Sequence, residues 1–122
     1  MKKAVFLPVI LALAATADFS FAQADSNDAS IRAGRAIATS SCIVCHTLSP
    51  DQAIKPLYGG KAPPFAEIAN RPGTSRESLL AFLNSPHWND PTLPIKPGPM
   101  LLISQREKSD VAGYILSLRK AQ

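Results

Sequence analysis

The sequence predicts an all-α fold, and three observations lead to that reading. Apolar residues recur at helical spacing in two stretches, 29–41 and 105–120. Boxes of the form T-x-x-E and S-x-x-E, at Thr74–Glu77 and Ser104–Glu107, mark two helix starts. Between these elements stands Cys42-Ile43-Val44-Cys45-His46, which no β-rich pattern precedes. Its spacing, C-x-x-C-H, is the attachment signature of a c-type haem.

The chemistry of attachment explains the spacing. On a turn of helix, residues three apart lie on one face. Cys42 and Cys45 then reach the two vinyl groups of one porphyrin as thioethers, and His46 comes beneath the iron as the proximal ligand. A zinc site needs about four N/S ligands, whereas the chain offers only Cys42, Cys45, His46 and His87. Adjacent Cys45 and His46 make poor tetrahedral partners. A thioredoxin-like pair wants a βαβ setting, and a structural disulfide leaves His46 unexplained.

The N-terminal stretch reads as a signal peptide over residues 1–22, with one domain over 23–122. Lys2 and Lys3 form a positive start, Ala4 to Ala17 an apolar run, and Ser20-Phe21-Ala22 a cleavage site after Ala22. Ala22-Gln23-Ala24 is a second candidate site. The run is short of the ~20 residues a spanning helix needs, so no lasting membrane insertion is expected. No Cys follows it to take a lipid. Export suits the cofactor, which bacteria attach outside the cytoplasm, and places the protein in the periplasm.

Cleavage after Ala22 leaves 11 Lys/Arg against 8 Asp/Glu, and two haem propionates would lower that small positive balance further. With no basic run and few aromatics, nucleic-acid binding gets no support. A domain this small has a thin core, and a buried haem would supply much of its apolar interior.

In chain order, Gln23 to Asn27 is polar and expected to fray. The first helix is expected over Ala29–Ser41 with Asp28 as N-cap. Ile31, Gly34, Ile37, Ala38 and Ser41 share one face of it, and Arg32 and Arg35 point elsewhere. Gly34 costs that helix about 1 kcal/mol relative to Ala, which suggests close approach of another element. Thr47 to Lys61 is an irregular loop, and a short helical piece, Ala66 to Asn70, stops at Arg71-Pro72-Gly73. The helix opened at Thr74 carries Leu79, Leu80, Phe82 and Leu83 and ends before Pro86. Five prolines between Pro86 and Ile103 exclude a regular helix there, and the stretch is expected to be a packed Ω-like loop. It carries Trp88, whose indole either donates to a propionate or simply packs. The last helix runs from the Ser104 cap to about Lys120, with Val111, Tyr114, Ile115 and Leu118 as its stripe.

With these pieces in place the chain resembles the single-haem class I cytochrome c family from about Ala29 to Leu118. The resemblance implies an N-terminal helix with a Gly crossing a C-terminal helix with an aromatic residue, matched by Gly34 and Tyr114. It implies a proline carbonyl holding the proximal imidazole, matched by Pro63 in Ala62-Pro63-Pro64-Phe65. It also implies a Met as sixth iron ligand on a loop before the last helix, and Met100 is the match. One departure stands out: some small bacterial members carry that ligand in a run like P-H-x-x-M-P, where this chain has Asp90 in Pro86-His87-Trp88-Asn89-Asp90-Pro91. His87 is therefore the rival ligand.

What the resemblance implies is an electron carrier and not an enzyme, since His/Met ligation closes the iron and raises its potential. Its partners would be redox proteins, a dehydrogenase or reductase as donor and an oxidase or other acceptor, and the carrier would be a monomer. Lys55, Lys61 and Lys96 are candidates for a sparse positive docking rim. Two alternatives remain: an open sixth position that binds or turns over a small ligand, and a haem subunit held beside one enzyme.

Overall fold

The computed structural model describes residues 18–59, 62–85 and 103–120. Its regular elements are four α-helices: α1 (Asp18–Ser41), α2 (Phe65–Asn70), α3 (Arg76–Leu83) and α4 (Gln105–Ser117). The all-α prediction stands for these residues. None of these helices is long and apolar enough to cross a membrane.

The principal packing is α1 on α4. A Cβ built on Gly34 would lie 2.0 Å from the Asp110 carbonyl oxygen and 2.9 Å from the Val111 nitrogen. Only glycine lets the two backbones come this close. Ser30 donates to the Asp110 carboxylate across the same crossing, at 2.5 Å. The expected stripes face inward: Gly34 and Ala38 of α1 and Val111, Tyr114 and Ile115 of α4 are buried, while Arg32 and Arg35 are exposed. Phe65 and Ala69 of α2, Leu79 of α3 and Leu48 of the intervening loop complete the core. It is small, and among the described residues its large side chains Val111, Phe65, Tyr114 and Ile115 are almost fully removed from water.

The helix ends show where local chemistry redirected the prediction. α1 begins at Asp18 and runs through the segment expected to fray, so Asp28 lies inside it and caps nothing. Residues 18–28 hold no Pro or Gly, and once a helix is nucleated each further residue adds a hydrogen bond. The third helix starts one residue later than its predicted box. Ser75 is the N-cap and exchanges hydrogen bonds with Ser78, not Thr74 with Glu77. The Thr74 hydroxyl is engaged elsewhere, donating to the Ile68 carbonyl at 2.8 Å, after a turn in which Gly73 adopts φ +79°. The Ser104–Glu107 box forms as expected. α4 ends at Ser117 rather than Lys120. Beyond it Arg119 folds onto α2, donating to the Ala69 carbonyl at 3.0 Å and to the Thr74 carbonyl.

Candidate functional site

The Cys42–His46 string forms the turn that leaves α1. Cys42 N–H donates to the Ala38 carbonyl at 2.8 Å, and the Cys42 carbonyl accepts from Cys45 at 3.2 Å and from His46 at 2.9 Å. The helical path therefore continues one turn past Ser41, which spaces the two sulfurs one turn apart. Both thiols are free and partly buried. Burial, and secondarily Cys45, pushes the Cys42 thiol up to about 11, and burial also raises Cys45. Both are thiols, not thiolates, at neutral pH. Among the described residues no cluster of three or more His, Cys, Asp or Glu could hold a metal ion.

His46 is fixed from its far side. Its Nδ1 lies 2.8 Å from the Pro63 carbonyl oxygen. A carbonyl only accepts, so Nδ1 carries the proton and Nε2 is left with its lone pair. Burial holds the imidazole pKa below its ordinary value, opposed by the Pro63 hydrogen bond. The ring is thus neutral, with one nitrogen free to bind a metal.

The two residues after His46 are tied down as well. Phe65 N–H donates to the Thr47 carbonyl at 2.9 Å, and Tyr114 Oη donates to the Leu48 carbonyl at 3.1 Å. Phe65 sets its ring 5.1 Å from the imidazole, centroid to centroid, tilted by 50°. Phe65 also meets Tyr114 edge-on at 6.3 Å. The following loop is tied back by Tyr58 N–H to the Val44 carbonyl at 3.0 Å. These donors fit a c-type haem: two thiols one turn apart, and a neutral, oriented imidazole beside them.

Of the residues singled out in the sequence, the structure brings together Cys42, Cys45, His46 and Pro63. His87, Trp88 and Met100 lie outside the described residues, as do Lys61 and Lys96; Lys55 is exposed. The helix carrying Gly34 crosses the helix carrying Tyr114, and the backbone atoms nearest a Cβ on Gly34 belong to Asp110 and Val111. Tyr114 lies one turn further along α4 and serves the His46 segment instead. Sequence reasoning gave Phe65 no role, although it stands two residues after Pro63; a large aromatic beside a predicted ligand contact was the available signal.

Comparison with known proteins gives the same answer by another route. The model of the cytochrome c family matches residues 31–119. Cytochrome c-552 of Bradyrhizobium diazoefficiens is 36% identical over 86 residues, covering 70% of this chain and 72% of that protein. No solved structure matches significantly. The chain belongs to the cytochrome c family, whose members carry covalent haem c with its iron and transfer electrons.

Proposed function

We propose that the chain is a periplasmic electron carrier that would hold one haem by thioethers from Cys42 and Cys45, with His46 and Met100 as its iron ligands. One observation carries the reading most directly: the 2.8 Å contact between His46 Nδ1 and the Pro63 carbonyl. It leaves Nε2 unprotonated and oriented. A ligating histidine whose other nitrogen donates to a carbonyl has the tautomer and basicity that an iron site requires.

When bound, the haem supplies reversible one-electron carriage. The polypeptide attaches it, orients the proximal ring and excludes water. Met100 is the reading's second ligand because it is the only methionine after residue 22 and precedes the Ser104 cap by four residues. A closed iron exchanges electrons without taking up a substrate. The similarity to a cytochrome c-552 supports a carrier of this kind.

The test is expression with a haem-maturation system, followed by optical spectra of both redox states for wild type and Met100→Ala. The oxidised wild type should show the weak far-red charge-transfer band of an iron–Met bond, and the variant should lose it. A low-spin spectrum that ignores the mutation would transfer the role to His87. A high-spin wild type, with rapid CO binding when reduced, would replace the carrier with a ligand-binding protein.

A further inference from the structure

Three consecutive residues, His46, Thr47 and Leu48, are each tied by a hydrogen bond to a distant part of the chain. His46 Nδ1–H is taken by the Pro63 carbonyl at 2.8 Å. The Thr47 carbonyl takes the Phe65 N–H at 2.9 Å. The Leu48 carbonyl takes the Tyr114 hydroxyl at 3.1 Å. The first two form a ladder between segments 46–47 and 63–65, and the third fastens that ladder to α4.

Hydrogen bonds at Nδ1 and along the backbone fix the position of the imidazole, but a single bond at Nδ1 leaves the ring free to rock about it. Side-chain packing has to stop that rotation. Phe65 is the ring that touches the imidazole, at 5.1 Å between centroids. It is only 3% exposed, so it cannot swing away into water. Tyr114, 4% exposed, backs it edge-on at 6.3 Å. Tyr114 cannot slide either, because its hydroxyl is bonded to Leu48 and its backbone belongs to α4. The stack His46–Phe65–Tyr114 therefore returns, through Leu48, to the chain two residues from where it began.

We propose that Phe65, backed by Tyr114, is a positioning residue that sets the rotation of the His46 ring and so keeps the Nδ1–H directed at the Pro63 carbonyl. The proposal rests on the reading of His46 as the proximal iron ligand. Electron donation from that ring depends on the strength of the Nδ1 hydrogen bond. Loosening the ring weakens the bond, lowers the basicity of Nε2, and favours the reduced iron. The midpoint potential then rises.

The test uses the haem-loaded protein and Phe65→Leu, which keeps an apolar side chain of moderate size and removes the ring. Leu79→Ala, which removes a buried side chain of α3 and leaves the ring beside His46 in place, is the stability control. Hydrogen exchange of the His46 Nδ1 proton, read by NMR on the reduced protein, is the primary readout. It should accelerate about tenfold in Phe65→Leu, equivalent to about 1.4 kcal/mol of lost restraint, which is within the worth of such an aromatic pair. It should stay at the wild-type value in Leu79→Ala, and only Phe65→Leu should raise the potential. Equal acceleration in both variants reduces Phe65 to a core filler and overturns the proposal, as does no acceleration in either. Failure of the underlying reading looks different. It would appear in the wild type itself, as His46 ring protons lacking the large upfield shifts of an iron-bound imidazole.

Discussion

Replacing Gly34 with alanine sets two effects against each other, and the structure decides between them. Alanine is the better helix former by about 1 kcal/mol, so in an unpacked helix the change would stabilise. In α1 the new methyl would sit 2.0 Å from the Asp110 oxygen and 2.4 Å from its carbonyl carbon. Ordinary contact begins at 3.4 Å, so the methyl is about 1.4 Å too close. Its neighbours are backbone atoms, which no rotamer change can move away. The helices must part, and the contacts of Ala38, Val111 and Ile115 part with them.

Overpacking of this kind costs about 1–3 kcal/mol, and a clash with backbone belongs at the upper end. Subtracting the propensity gain leaves a net loss of about 2 kcal/mol. For a domain of roughly 100 residues that corresponds to a melting temperature lower by about 8–16 °C. Thermal melts of the haem-loaded protein, followed by far-UV circular dichroism, read it directly. A variant that melts at or above the wild-type temperature would refute the close crossing of α1 and α4.

Gly113 provides the converse case. A methyl there would meet the Arg76 guanidinium at 3.2 Å and Ser30 Oγ at 3.8 Å, and a guanidinium can yield by a few tenths of an ångström. Gly113→Ala should therefore melt at the wild-type temperature or slightly above; a loss like that of Gly34→Ala would contradict this. Glu107 gives a pH dependence, because the Ser104 N–H donates to its carboxylate at 2.6 Å and holds its pKa below the usual 4.5. The unfolded chain then binds the proton more readily. The stabilisation is present above pH 4.5 and is lost as pH falls through the lower folded value. Glu107→Gln should flatten that part of an acid-unfolding curve relative to wild type, and an unaltered curve would deny the carboxylate this role. Reversing the charges of Lys55, Lys61 and Lys96 together should slow association with an acidic redox partner and weaken its salt dependence. An unchanged on-rate at low salt removes electrostatic steering by those residues.

The sequence disclosed most about the site where chemistry demanded particular residue types at particular spacings. C-x-x-C-H specifies its own geometry, and a glycine on an otherwise apolar helical face betrays a close neighbour. Pro63 was legible through the family resemblance, and its carbonyl lies against the His46 imidazole. Helix limits were legible where the capping side chain had no competing partner, as at Ser104. At Thr74 the box motif was present, but the hydroxyl went to Ile68 in the preceding turn. Phe65 offered only its position beside Pro63 as a signal, and Leu48 offered none, because its role depends on a long-range contact with Tyr114. Leu48 acts through its backbone carbonyl, and no side-chain pattern encodes that.

The helix crossing and the His46 site are mechanically one object. Asp110, which receives Gly34, and Tyr114 are four residues apart and so share a face of α4. Gly34 thereby sets how closely α4 approaches α1, and that distance determines where the Tyr114 hydroxyl arrives. The hydroxyl meets the Leu48 carbonyl at 3.1 Å, near the outer limit of a good O–H···O bond. A displacement of the size that Gly34→Ala requires exceeds what such a bond tolerates. The variant should thus lose the Tyr114–Leu48 bond along with its stability. With that bond goes the support behind Phe65, so a residue remote from the motif in the α1–α4 crossing acts on the proximal ring. Where the described residues hold so little core, the contacts that hold the helices together are the same ones that aim the ligand.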